Sequence, residues 1–181
     1  MLHQAQIRAA GYPVTFVDAD MRTVDTYQPV DAVTCLYASL NHLLDASDLS
    51  LTFTRVAAHL RPGGVFVFDL NSSHAFETLW RNPVTEHGPS FTLHRRFEAD
   101  GPQTTMHLTI ERPDHPPAHD TLIARSYQEA QIRAALTGAN FILHDIVHFN
   151  PFPAVPGTTL KQLWTATLRT ASCPAHGSTT P

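Results

Sequence analysis

An α/β fold with a parallel sheet is what this 181-residue sequence predicts, on three observations. The first is the run Leu60-Arg61-Pro62-Gly63-Gly64-Val65-Phe66-Val67-Phe68-Asp69-Leu70-Asn71, which places a helix stop, an apolar strand and polar residues at that strand's end within one short stretch. The second is the apolar run Val30-Asp31-Ala32-Val33-Thr34-Cys35-Leu36-Tyr37, which leads into Ser39-Leu40-Asn41-His42. The third is Val14-Thr15-Phe16-Val17, closing on Asp18-Ala19-Asp20-Met21. Each run delivers polar groups to its carboxyl end, and in an open α/β sheet that is where ligands bind.

The elements follow in order. Residues 14–17 predict a short strand, and residues 30–37 predict a buried one that holds Cys35. Leu49, Phe53, Val56, Ala57 and Leu60 recur at helical spacing, so a helix feeds the strand centred on residues 65–68, with Pro62 and the glycine pair forbidding its continuation. A short helix is expected over residues 73–80, with Asn71, Ser72 and Ser73 available to cap it. Alternating stretches at residues 91–97 and 105–110, joined across Asp100-Gly101, predict a β-hairpin. Ser126 with Glu129 reads as a capping box, and Gly138 is well placed to end the helix it opens. Residues 141–149 and 160–169 predict a closing pair of strands, with Pro151, Pro153, Pro156 and Gly157 in their connection.

Composition narrows the class further. At 43% hydrophobic, the chain can bury one sizeable core, and no long linker divides it. A net charge of −4, with Arg and Lys scattered, gives no electrostatic footprint for nucleic acid. There is no apolar run long enough for a bilayer and no signal peptide, so a soluble cytoplasmic protein without a membrane partner is expected. Cys35 and Cys173 are expected to be free thiols, and residues 171–181, ending in Ser, Thr and Pro, read as a disordered tail. Twelve histidines invite a metal reading. His144 and His148 would sit on one face of a strand but roughly 13 Å apart, too far to share one ion. His115 and His119 lack cysteine partners, and no metal is expected.

Four blocks in succession carry a resemblance: Met1-Leu2 opening a helix, FVDADMR at residues 16–22, VDAVTCLYASLNHLL at residues 30–44, and LRPGGVFVFDLN at residues 60–71. Together they resemble the class I S-adenosylmethionine-dependent methyltransferases of small molecules. Arg125-Ser126-Tyr127-Gln128-Glu129, followed by Ile132, Leu136, Gly138 and Phe141, is similar to the family's late helix and next strand. The resemblance implies a Rossmann-like, mostly parallel sheet with an antiparallel C-terminal hairpin over residues 1–170, carrying a small antiparallel lid insertion at residues 81–122. It implies S-adenosylmethionine as cofactor and methyl transfer to a nitrogen or oxygen of a small-molecule acceptor.

Residue roles follow from the resemblance, each beside a plainer reading. Asp20 resembles the carboxylate that accepts a hydrogen bond from the adenine amino group, with Met21 near the ring; otherwise an Asp after a strand is a turn or cap residue. Tyr37 and Ser39 lie in the loop that would face the donor. Asn41 and His42, in the same loop, are the candidate catalytic residues, His42 as a base. The same loop could instead simply begin a helix. Asp69, Asn71, Trp80 and Arg95, with Arg96, are candidate acceptor contacts. Asp31 would begin a strand or fix a loop. Direct displacement from a sulfonium needs alignment and a proton acceptor but no covalent intermediate.

The resemblance also implies two elements that would precede Met1: a glycine-rich loop, and an acidic residue that holds ribose hydroxyls. The sequence therefore reads as N-terminally truncated, with sheet edges to be repaired by a second copy, as a homodimer, by a partner, or by a shifted strand. The alternative is a catalytically inactive methyltransferase fragment serving as a binding or assembly module.

Overall fold

The computed structural model describes residues 2–25, 28–151 and 159–170. Helix α1 (Leu2–Arg8) is followed by β1 (Val30–Cys35), a 3-10 turn (Ser39–His42), α2 (Ala46–His59) and β2 (Leu60–Asn71). Then come α3 (Ser73–Thr78), β3 (Val84–Gly88), β4 (Phe91–Asp100), β5 (Gln103–Arg112), β6 (His115–Arg125), α4 (Glu129–Gly138), β7 (Phe141–Phe149) and β8 (Lys161–Leu168). The strands form two four-stranded sheets, ordered β1-β2-β8-β7 and β3-β4-β5-β6.

The first sheet is mixed, which corrects the expectation of a mostly parallel one. Only β1 and β2 run parallel; β8 is antiparallel to both β2 and β7. Successive strands paired as a hairpin must be antiparallel, and here β8, the returning strand, lies beside β2. The connection expected at Pro153, Pro156 and Gly157, the tail at residues 171–181 with Cys173, and Met1 lie outside the described residues.

Residues 14–17 carry no strand, another correction. Val14 and Val17 are 54% and 61% exposed, and the outer edge of β1 has no strand partner among the described residues. Without a ladder to join, an apolar run gains nothing from extension. The same open edge leaves β1 exposed or half-buried along its length, so Cys35 lies in no buried strand.

Local signals elsewhere hold with shifted boundaries. Strand β2 begins at Leu60, before the glycines, and its register against β1 slips between Val30 and Ala32. Gly63 takes φ +81°, and a Cβ on Gly64 would stand 2.8 Å from the Arg61 carbonyl, so both glycines are used by this irregular stretch. The cap of α3 is Ser72, which accepts from the Ala75 amide at 3.2 Å. The cap of α4 is Gln128 and not Ser126: the Gln128 amide donates to Gln131 Oε1 at 2.9 Å, while Ser126 Oγ donates to Ser73 Oγ at 3.2 Å. That helix does end at Gly138, but the left-handed residue beyond it is Asn140.

Helices α2 and α4 pack together on one face of the first sheet, and the core lies beneath them. Phe66 and Phe68 alternate inward along β2 and meet Phe53 of α2 with ring centres 5.3 and 5.1 Å apart. Trp164 of β8 stacks on Phe68 at 5.8 Å. Each such buried side chain contributes roughly 1.5–3 kcal/mol through removal of apolar area from water.

The second sheet extends the expected hairpin on both sides. The turn between β4 and β5 has Gly101 at φ +55°, and β3 and β6 add the two outer strands. Trp80, just past α3, joins this sheet to that helix by packing on Phe76 of α3 at 5.0 Å and on Phe97 of β4 at 5.9 Å.

Candidate functional site

The carboxyl ends of β1 and β2 converge on residues 36–45, and this segment is held from every side. Asn41 is 1% exposed, and its amide bonds at both ends: Nδ2 donates to the Arg125 carbonyl at 2.7 Å and Oδ1 accepts from the Asn71 amide at 2.9 Å. Tyr127 donates its hydroxyl to the Leu43 carbonyl at 2.6 Å, and Arg125 donates to the Leu44 carbonyl at 2.9 Å. Burial pushes the Tyr127 phenol up to about 12. Asn41 thus ties the Arg125 carbonyl and the Asn71 amide to the loop, where an unpaired buried group would be costly.

Upstream of the 3-10 turn, Tyr37 and Ala38 adopt consecutive left-handed conformations, φ 63° and 56°. Each departs from the right-handed preference of L residues at roughly 1–2 kcal/mol, so neighbouring contacts must hold them. Buried Asp69 supplies one: its Oδ1 accepts from the Ala38 amide at 3.0 Å, and its Oδ2 accepts from Lys161 Nζ at 2.5 Å. Asp69, a candidate acceptor contact, thus braces the loop from within the protein.

Two cavities flank this segment. One, of about 450 Å³, is lined by Asp20, Met21, Arg22, His42, Leu43 and Asp48 among others. The Asp20 carboxylate is gripped by Arg22, with Nη2 at 2.6 Å and the backbone amide at 2.8 Å. Those bonds from Arg22 hold its acid well below the usual range, at about 2, so Asp20 is an ionised acceptor throughout the neutral range. Its backbone carbonyl meanwhile closes a turn onto Thr23 and Val24. The exposed His42 places Nδ1 3.0 Å from the Ile123 carbonyl; a carbonyl only accepts, so Nδ1 is the donor of that bond.

The other cavity, of about 650 Å³, opens between the strand tips and the second sheet. Tyr37, Asn71, Trp80 and Arg95 line it, with Phe97, Met106, Glu86 and Lys161. Its walls are mainly apolar, and the charges come as pairs, Arg95 with Glu86 and Lys161 with Asp69. Arg96, on the opposite face of β4, pairs with Glu98 at 3.4 Å. Ser39 lines neither of these cavities and donates to the Leu36 carbonyl at 2.7 Å. Asp31 pairs with Arg61 across β1 and β2.

Among the sequence candidates, then, Asp20, Met21 and His42 come together on one side and Tyr37, Asn71, Trp80 and Arg95 on the other. The residues missed are Arg22, Glu86, Phe97, Met106 and Lys161. Lys161 offered one signal, being the sole lysine of the sequence. Its place opposite Asn71 depends on β8 crossing to β2, which nothing local reveals.

Comparisons with known proteins bear on this site. Residues 1–64 match the family model described as a methyltransferase domain. The chain is 28% identical over 136 residues to dTDP-3-amino-3,6-dideoxy-α-D-glucopyranose N,N-dimethyltransferase of Streptomyces fradiae, covering 68% of this chain and 52% of that one. It spans about a third to a half of the length of the curated relatives it matches. A solved S-adenosylmethionine-dependent methyltransferase from Clostridium acetobutylicum ATCC 824 superposes with a TM-score of 0.81 at 21% identity, over 92% of this chain and 69% of that one. CalS10, an amino pentose methyltransferase of Micromonospora echinaspora solved with S-adenosylmethionine bound, gives 0.71 at 24% identity over 92% and 69%.

Proposed function

We propose that this chain, which has the fold of the class I methyltransferases and in residues 1–64 a match to their domain, transfers a methyl group from S-adenosylmethionine to an amine of a small polar molecule. The observation that carries this reading is the pair of cavities on opposite sides of one tightly held segment at the strand tips. The smaller suits the adenosine end of the donor. Asp20 supplies an ionised acceptor for an exocyclic amino group, and Met21 and Leu43 supply apolar contact for a purine ring. When bound, the cofactor supplies a sulfonium-borne methyl group for direct displacement.

The chain's own residues provide enclosure, alignment and proton acceptance. The lid at residues 81–122 carries Glu86, Arg95, Phe97 and Met106 over the larger cavity and shields an acceptor from water there. Apolar walls orient the acceptor's body, and the Arg95–Glu86 pair meets its polar groups. His42, whose Nδ1 donates to the Ile123 carbonyl, is the candidate base, and it would take the proton from the smaller cavity's side of the segment. The amine assignment draws on the sugar relatives, two of which are described as acting on an amino sugar or amino pentose.

Calorimetric titration with S-adenosylhomocysteine, the demethylated cofactor, tests the reading. Binding by the folded chain that weakens about tenfold in Asp20→Ala supports it, as loss of a charge-assisted hydrogen bond would. Unchanged affinity in a folded Asp20→Ala variant removes that role. A second reading, a non-catalytic assembly module, draws on the unpaired edge of β1; a folded chain with no affinity for the cofactor product favours it.

A further inference from the structure

We propose that Lys161 is a positioning residue for the transfer site, and that it acts through Asp69 to set the Tyr37–Ala38 turn, which lines the larger cavity and leads into the residues that line the smaller one. The inference rests on the reading that those cavities hold donor and acceptor.

Four described residues other than glycine have positive φ, and the two adjacent ones, Tyr37 and Ala38, stand at the end of β1. Strain of this kind persists only where surrounding groups enforce it. The Ala38 amide is fixed by Asp69 Oδ1 at 3.0 Å. For that oxygen to stay in place, the carboxylate needs a partner at its other end, because its side chain is only 7% exposed and an unpaired buried charge is not tolerated. Lys161 Nζ is that partner, at 2.5 Å.

Lys161 also touches the turn from its other side. Its Nζ lies 6.0 Å from the centre of the Tyr37 ring, within cation–π range. Register puts it there: Lys161 pairs with Asn71 at the last rung of β2 and β8, so its side chain rises from the sheet's tip. The phenol of Tyr37, 91% exposed, is thereby held at the mouth of the larger cavity. Lys161 lines that cavity too, so an acceptor seated there would press on the same clamp.

The test compares wild type with Lys161→Met, Lys161→Arg and the double variant Asp69→Asn/Lys161→Met. Two readouts apply: amide hydrogen exchange by NMR and calorimetric affinity for S-adenosylhomocysteine. In Lys161→Met the Ala38 amide should exchange about tenfold faster, while the Asn71 amide, bonded to Asn41, stays protected. Cofactor-product affinity should fall in parallel. Arginine should restore both, and so should the double variant, because the neutral side-chain amide introduced by Asp69→Asn can accept from the Ala38 amide without a lysine. Unchanged Ala38 exchange in folded Lys161→Met overturns the proposal, as does faster exchange with affinity intact, which makes the clamp merely structural. If wild type binds no S-adenosylhomocysteine, the two-cavity reading fails first, and a change confined to Ala38 exchange then reduces Lys161 to a local clamp.

Discussion

Strands β1 and β8 flank the same central strand, and their fates differ. On β8, Trp164 and Ala166 are fully buried beneath α2 and α4, whereas β1, of comparable apolar content, has no fully buried residue. Val33 and Cys35 reach the core only partly, and Val30 remains 37% exposed. β8 has a strand on each side and helices over its inner face; β1 has one strand neighbour among the described residues. Burial is therefore conferred by neighbours and not by the hydrophobicity of a strand itself.

Five substitutions and one pH series sharpen that contrast or break it. The largest effect is expected from Trp164→Ala, about 3–5 kcal/mol of unfolding free energy by urea titration, from lost burial and the cavity left behind. Val33→Ala on β1 should lose well under half of that, and equal losses would show the two flanks to be energetically alike. Next comes alkaline pH. Burial, then the nearby Asp69 charge, pushes the Cys35 thiol from 9.0 to about 11. Between those values the folded state keeps a proton that the unfolded chain has released. Stability present below pH 9 should thus be lost through pH 11, by about 2–3 kcal/mol, and Cys35→Ala should flatten that decline. The Tyr127 phenol, raised from 10.0 to about 12, adds a loss of the same sign at higher pH, common to both proteins.

Gly64→Ala acts where β1 and β2 meet. Its new methyl would press on the Arg61 carbonyl at 2.8 Å and the Asp31 carbonyl at 3.1 Å, and about 1–3 kcal/mol should be lost. The smallest effect belongs to Val30→Thr, within about 0.5 kcal/mol, because the residue is already exposed. A large loss there would mean that the open edge of β1 is covered in solution.

How much could be read from the sequence follows from how local each signal was. Pro62, Gly63 and Gly64 announced the passage from α2 to β2 because helix stops are short-range chemistry, though the strand absorbed all three. Asp100-Gly101 announced the β4–β5 turn for the same reason. Strands β3 and β6 escaped notice: their burial patterns show no alternating apolar face, and β6 opens His115-Pro116-Pro117, a composition suited to an edge. Residues 14–17 misled because an apolar run states a preference without supplying a partner. At the site, Asp20, Met21 and His42 line one cavity. For Asn41 and Asp69 the sequence is silent on partners, because a polar residue at a strand tip looks alike from sequence whether it faces a ligand or ties down a loop. Which it does depends on Arg125, Ala38 and Lys161, brought close only by tertiary structure.

The rarity of lysine has a practical side. A protease that cuts only after lysine has one target in this polypeptide, the Lys161–Gln162 bond, and that bond opens β8 between β2 and β7. While the strand stays zipped on both flanks the bond is shielded, so cleavage there counts excursions that release the strand. A gel showing two fragments or one band would meter how often the sheet opens, with no label, engineered tag or optical probe.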